Sequence, residues 1–220
     1  MSKLGRGCYL IKRDFKNTFW QIPICSEDSP LLGFHRENRY YSERFLPFGL
    51  RTAPYIFNLY AEKFHWILAE DLNRAGDCVE IVYYLDDFFM IVPSGQNLAG
   101  YSKRLQTLCE AVGLAIKESK NEEGSVATFS GIELDNWRMV IRLPEKKLIK
   151  APNVVQNAIQ ATSLSPIELQ RITGYLNFVA TVVSLGRTFL RRLYNMQLYF
   201  PSQCHSQWRR ISSETHKDLT

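Results

Sequence analysis

The string Tyr84-Leu85-Asp86-Asp87 sets two carboxylates side by side between the apolar runs 79–83 and 88–92. Adjacent like charges are unfavourable unless water or a cation neutralises them. A hard divalent ion suits the task, since Mg²⁺ is commonly held by one or two carboxylates together with substrate phosphates. A solvated turn is the competing reading, because Asp is a common turn residue. Taken alone, the two readings stand about even. The favoured two-residue hairpin turns use Asn-Gly or Asp-Gly, and Asp86-Asp87 lacks that Gly. Asp14 closes a third apolar run, 8–15. By itself it reads best as a surface Asp at a strand end. Were its strand beside the Asp86-Asp87 hairpin, three carboxylates would meet at one sheet edge. Such a cluster can hold two Mg²⁺ ions about 3.5–4 Å apart, the arrangement for in-line phosphoryl transfer.

The elements that must position these groups are legible in the apolar patterning. The runs 79–83 and 88–92 have strand length and β-branched or aromatic composition, and so does 8–15. Short strands are expected at 31–34 and 39–45. Ile56, Phe57, Tyr60, Phe64, Ile67 and Leu68 recur at helical spacing over about 53–70, with Thr52 as N-cap, Pro54 in the first turn and Gly76 beyond the end. A second amphipathic helix, about 96–112, carries Leu98, Tyr101, Leu105, Leu108 and Val112. Residues 127–134 and 138–143 read as a hairpin turning at Asp135-Asn136. After Pro144 strand signals give way to helical ones. Ser165-Pro166-Ile167-Glu168 is a capping box with Pro at the first helical position, and a further helix is expected over about 186–199.

Composition narrows the classes. The chain has 220 residues, 45% of them hydrophobic, enough for a sizeable core. Its 27 basic and 22 acidic residues leave +5, which permits a nucleic-acid partner without demanding one. Five cysteines without a C-x-x-C pair suit a reducing compartment without structural zinc, and Cys204-His205 reads as incidental. No apolar run reaches membrane-spanning length, and the N-terminus lacks a signal-peptide core. The expected location is cytoplasmic or nuclear, not secreted.

Five strings then occur in one order. Lys12-Arg13-Asp14-Phe15-Lys16-Asn17-Thr18-Phe19-Trp20-Gln21-Ile22-Pro23-Ile24 comes first, and Leu46-Pro47-Phe48-Gly49-Leu50-Arg51-Thr52-Ala53-Pro54-Tyr55-Ile56-Phe57 second. Tyr84-Leu85-Asp86-Asp87, Gly113-Leu114-Ala115-Ile116 with Lys120, and Phe129-Ser130-Gly131-Ile132-Glu133-Leu134 follow. Together they resemble the motifs of retroelement reverse transcriptases, from palm to primer grip, and cover about residues 8–143. The segment 169–194 resembles the thumb, most like DIRS-like and long-terminal-repeat elements.

The resemblance implies an α+β fold: a palm-type antiparallel sheet backed by helices, with a small helical thumb. It implies residues 1–143 as palm with partial fingers at about 23–46, 144–200 as thumb and 201–220 as a polar tail. The implied activity is RNA-directed DNA synthesis, in which two Mg²⁺ ions (or Mn²⁺) assist transfer of deoxynucleotides to a primer 3′-hydroxyl. The partners would be an RNA or DNA template with its primer and deoxynucleoside triphosphates, with no membrane. Asp14, Asp86 and Asp87 match the catalytic, metal-binding carboxylates. Phe19 matches the ring that excludes a 2′-hydroxyl, which argues against an RNA-templated RNA polymerase; an ordinary core Phe is the alternative. Phe48 and Gly49 match the nucleotide-contacting motif, and Lys120 the group that holds or protonates pyrophosphate. Arg187, Arg191 and Arg192 would form one basic helix face toward phosphates, a solvated face being an equal reading.

The family carries a long fingers segment before the first motif, and RNase H and recombinase or integrase regions beyond the thumb. The expectation is therefore a polymerase truncated at its N-terminus. A catalytically inactive remnant that at most binds nucleic acid is the alternative.

Overall fold

Alternating polar and apolar positions would leave a strand with one wet face, but Tyr9–Asp14 is buried almost throughout. The computed structural model, which describes residues 4–76, 78–200 and 207–219, shows why. This strand, β1, is central in a four-stranded antiparallel sheet and is covered on both faces. After it come a hairpin of β2 (Gly33–Arg36) and β3 (Arg39–Ser42), helix α1 (Ala53–Arg74), and strands β4 (Glu80–Tyr84) and β5 (Asp87–Val92). Helix α2 (Leu98–Ala111) and strand β6 (Glu122–Gly124) complete the sheet, whose order is β4-β5-β1-β6.

Strand alternation sends Ile11 of β1 and Phe88, Met90 and Val92 of β5 to one face. There they meet Phe57, Ala61, Phe64, Leu68 and Leu72 of α1 and Tyr101, Leu105 and Cys109 of α2. Both helices bury residues at three- and four-residue intervals, as a helix facing one layer must. Phe88 is the hub: its ring centroid lies 4.9 Å from Phe15, 5.1 Å from Phe64 and 5.2 Å from Tyr83. Leu10, Phe89 and Ile91 face the other way. They pack with Cys8 and with a hairpin of β7 (Val126–Phe129) and β8 (Ile132–Asp135).

That hairpin corrects an expectation. Residues 127–134 are two strands rather than one: the chain first reverses at Ser130-Gly131, pairing Phe129 with Ile132, and then turns again from Asn136 to pair β8 with residues 140–142, as expected. Ser130 and Gly131 both take positive φ, 49° and 77°, as a two-residue turn of this hand requires. Asn136 is fully buried, its amide donating to the Cys8 carbonyl at 2.7 Å. The helix ends also differ in detail. Thr52 occupies the N-cap position of α1 but makes no side-chain cap bond. Asn97 caps α2, accepting from Gly100 N at 3.2 Å.

The chain divides into two compact units within the short strand β9 (Val140–Arg142), between Val140 and Ile141. The second unit holds α3 (Glu145–Gln160), α4 (Pro166–Val179), α5 (Arg191–Leu198) and α6 (Ser213–Leu219) around Leu164, Leu169, Leu176, Leu190 and Leu193. Ser165 Oγ accepts from Glu168 N at 3.3 Å while the Glu168 carboxylate accepts from Ser165 N at 2.9 Å, so the capping box forms in full. The helix expected over 186–199 begins as a tight 3₁₀ turn, Gly186–Leu190, and becomes α-helical only at Arg191. Two short strands, β10 (Ser163–Leu164) and β11 (Arg209–Arg210), pair in this otherwise helical unit. Cys204 and His205 lie outside the described residues. The fold is thus α+β, with a palm-type antiparallel sheet. No helix among the described residues is long and apolar enough to cross a membrane.

Candidate active site

Register brings the carboxylates together. In the β1–β5 pairing Asp14 is the direct partner of Asp87, and Asp87 is in turn the partner of Tyr84 on β4. The turn residues are therefore Leu85 and Asp86, not Asp86 and Asp87. Leu85 supplies the positive φ, 51°, that a Gly would ordinarily take. Its side chain packs against the main core. The Asp86 carbonyl accepts from Phe15 N at 3.1 Å, which ties the turn to the end of β1. A loop from the third motif's successor closes the other side: Lys117 N donates to the Asp14 carbonyl at 2.8 Å and Lys16 N to the Ala115 carbonyl at 2.8 Å.

Each carboxylate has a different environment. Asp14 is buried, and its Oδ2 accepts from Lys120 Nζ at 2.6 Å. Asp86 Oδ2 accepts from Thr18 Oγ at 3.0 Å. Asp87 Oδ1 is buried without a hydrogen-bond partner, and Lys12 Nζ stands 3.6 Å from it. Burial pushes the Asp87 carboxyl above the usual carboxylate range; Lys12 opposes this, while Asp14 and Asp86 add to it. The Lys120 ammonium is held protonated above the usual lysine range, first by its hydrogen bond to Asp14, with all three carboxylates contributing. Thr18 and Lys12 were not singled out by sequence reasoning. Their only signal was membership of the motif around Asp14.

Among the described residues no three Asp, Glu, His or Cys side chains converge as a ready-made metal cage. Lys120 occupies one oxygen that such a cage would use. The donor set nevertheless fits a hard divalent ion: it is all carboxylate oxygen, and Asp87 Oδ1 is buried and unsatisfied.

Next to the carboxylates lies an aromatic shelf. Phe19, in the 3₁₀ turn Thr18–Gln21, has its ring 4.9 Å from Phe48 and 5.7 Å from Phe57. Phe57 belongs to the core, whereas Phe48 is 60% exposed. Phe19 is thus both a packed residue and the base of an open ring surface, which Trp20 extends at 5.7 Å from Phe48. Gly49 has φ 92°, a conformation that strains any residue with a Cβ, and nothing stands within 4 Å of where that Cβ would be. The backbone there faces open space.

Arg187, Arg191 and Arg192 belong to the second unit. They do not form one free helical face. Arg187 lies in the 3₁₀ turn, and Arg192 forms ion pairs with Asp218 and Glu214 of α6. Its charge is largely compensated within the chain.

The family model described as "Reverse transcriptase (RNA-dependent DNA polymerase)" matches residues 1–134. The chain is 38% identical over 186 residues to the genome polyprotein of Petunia vein clearing virus, covering 81% of this chain and 8% of the relative. It is 24% identical over 191 residues to protein P of Heron hepatitis B virus, covering 86% and 23%. To polyprotein P3 of Commelina yellow mottle virus it is 28% identical over 125 residues, covering 57% and 6%. The chain therefore spans less than a quarter of the length of each of these relatives. Among solved structures, foamy viral protease–reverse transcriptase with its dsDNA aligns at TM-score 0.73 and 20% identity, covering 98% of this chain and 34% of that one. Its complex with an RNA/DNA hybrid aligns at TM-score 0.70 and 20% identity, covering 96% and 26%. At that identity the likeness is one of fold.

Proposed function

The chain belongs to the reverse transcriptase (RNA-dependent DNA polymerase) family, and from that premise we propose that it extends a primer with deoxynucleotides on an RNA or DNA template. The observation that carries this reading is the pairing of Asp14 with Asp87 across β1 and β5, beside the turn that holds Asp86. Asp14, Asp86 and Asp87 would hold the Mg²⁺ or Mn²⁺ ions. Bound there, such ions make the primer hydroxyl more acidic and brace the triphosphate.

The chain's own residues supply the rest. Phe19, backed by Phe57, places a fixed ring where a 2′-hydroxyl would have to sit, so deoxynucleotides are preferred by steric exclusion. Phe48 offers an exposed face to the nucleotide, and Gly49 lets the backbone approach it. Thr18 orients Asp86. Lys120, kept protonated beside Asp14, can release that carboxylate and give its Nζ proton to the departing pyrophosphate. Positioning and charge stabilisation of this kind supply most of the catalysis in phosphoryl transfer. Support for nucleic-acid partners comes from the fold shared with foamy viral protease–reverse transcriptase, solved with dsDNA and with an RNA/DNA hybrid. Relatives that are polyproteins support reading the chain as one segment of a longer product.

The test is Mg²⁺-dependent extension of a primed RNA template with deoxynucleotides by the chain and by Asp86→Asn. Extension that disappears in the variant is the expected result. Extension by both would remove the metal assignment, and extension by neither folded protein would favour an inactive nucleic-acid-binding remnant.

A further inference from the structure

Two cationic residues, Lys12 and Arg13, precede Asp14 in a strand that is otherwise core. Alternation sends them to opposite faces of the sheet. Arg13 turns toward the helices and bonds Ser102 and Glu123. Lys12 turns to the face of Asp14. Its side chain is only 10% exposed, and its ammonium stands 3.6 Å from Asp87 Oδ1 and 3.6 Å from Glu122 Oε1. A lysine this buried needs compensating carboxylates, and Lys12 has two.

Glu122 is itself fixed. It is the β6 partner of Lys12 across β1, and its Oε2 accepts from Thr128 N at 2.7 Å. One ammonium is therefore shared between a structural carboxylate, Glu122, and a site carboxylate, Asp87. The ammonium stands equally far from both, so its place between them is set by the pull of each.

We infer that Lys12 is a positioning residue acting as a built-in counter-ion, and that the Glu122–Lys12–Asp87 chain sets how strongly the carboxylate site holds a divalent cation. This rests on the proposed function, in which Asp14, Asp86 and Asp87 are the ligands. Removing the Lys12 charge leaves Asp87 with only the more distant Lys120 charge opposing it, so an incoming cation is attracted more strongly. Removing the Glu122 charge gives Lys12 wholly to Asp87, so the cation is attracted less. Two neighbouring substitutions thus act with opposite sign. A merely structural role would weaken binding in both.

The probe is Mn²⁺ alone, with free ion measured by the electron paramagnetic resonance signal of its hydrated form, on the full chain without nucleic acid. Lys12→Met is expected to tighten Mn²⁺ binding about tenfold, the scale of a unit charge acting on a divalent ion several ångström away through water-like screening. Glu122→Gln, whose amide oxygen can still accept from Thr128 N, is expected to loosen it by roughly threefold. Unchanged or weaker binding in a Lys12→Met chain with native circular dichroism overturns the inference. If Lys12→Met does not fold, Lys12→Gln, which removes the charge but keeps a polar end, takes its place, and unchanged or weaker binding there overturns it. Asp86→Asn separates the two levels. Mn²⁺ affinity that survives Asp86→Asn removes the site reading and the inference with it. Affinity lost in Asp86→Asn but indifferent to Lys12 and Glu122 removes the inference alone.

Discussion

Asp87 is half-buried, and its buried Oδ1 lacks a hydrogen bond. Its carboxyl is raised chiefly by burial, so the folded chain takes up a proton there before the unfolded chain does. The sign follows: stability falls as pH rises from the ordinary value, 3.8, through the raised one. Asp87→Asn should therefore raise the melting temperature at pH 7, with the gain shrinking toward pH 3; a melt that is lower at pH 7 would contradict this. Thr18→Val removes the hydroxyl that fixes Asp86 and should slow primer extension about tenfold, the scale of one hydrogen bond to a charged group, with circular dichroism unchanged. Asp14, Asp86, Asp87 and Lys120 were legible in the sequence because acidic adjacency and motif order single them out. Thr18, Lys12 and the pairing of Arg192 were not. Each depends on a partner brought up by register or tertiary packing, which no local pattern encodes.

At the scale of elements, what is local was readable. The box at Ser165 and Glu168 is a four-residue signal, and it forms as expected. Its hydrogen bonds from Ser165 lower the Glu168 carboxyl, so the contribution is present above the ordinary Glu range and is lost as pH falls through the lowered value. Ser165→Ala should destabilise the second unit by about 1 kcal/mol in denaturant melts, and Ser165→Asp should recover most of it. Helix α3 escaped notice for a physical reason. Pro152 lies inside it and reads in sequence as a helix breaker, although the helix runs on unbroken from Glu145 to Gln160. The hairpin at Ser130-Gly131 was signalled by the motif Phe129-Ser130-Gly131-Ile132-Glu133-Leu134, although strand patterning alone ran 127–134 together. The Gly itself was the signal, since positive φ is required there. Gly131→Val should therefore cost on the order of 1–2 kcal/mol in denaturant melts.

For the whole molecule, the sheet is the frame on which the site depends. It is closed on one face by α1 and α2 and on the other by the β7–β8 hairpin. Phe88, beside Asp87 in sequence and at the hub of three other rings, links core to chemistry. Phe88→Ala should cost about 3–5 kcal/mol and lower metal binding with it, because β5 carries Asp87. The palm's outline was readable from its strands and motif order, and the change of character after Pro144 lies a few residues from the division between Val140 and Ile141; the β10–β11 pairing in the second unit required the packing itself. The account stands or falls on Asp14 and its cross-strand partner working as one metal-dependent site. The decisive measurement is the initial rate of deoxynucleotide incorporation on a primed RNA template as Mg²⁺ is titrated, for the chain beside Asp14→Asn. Saturable Mg²⁺-dependent incorporation that Asp14→Asn abolishes is the predicted result, and incorporation that persists in a folded Asp14→Asn chain would contradict it.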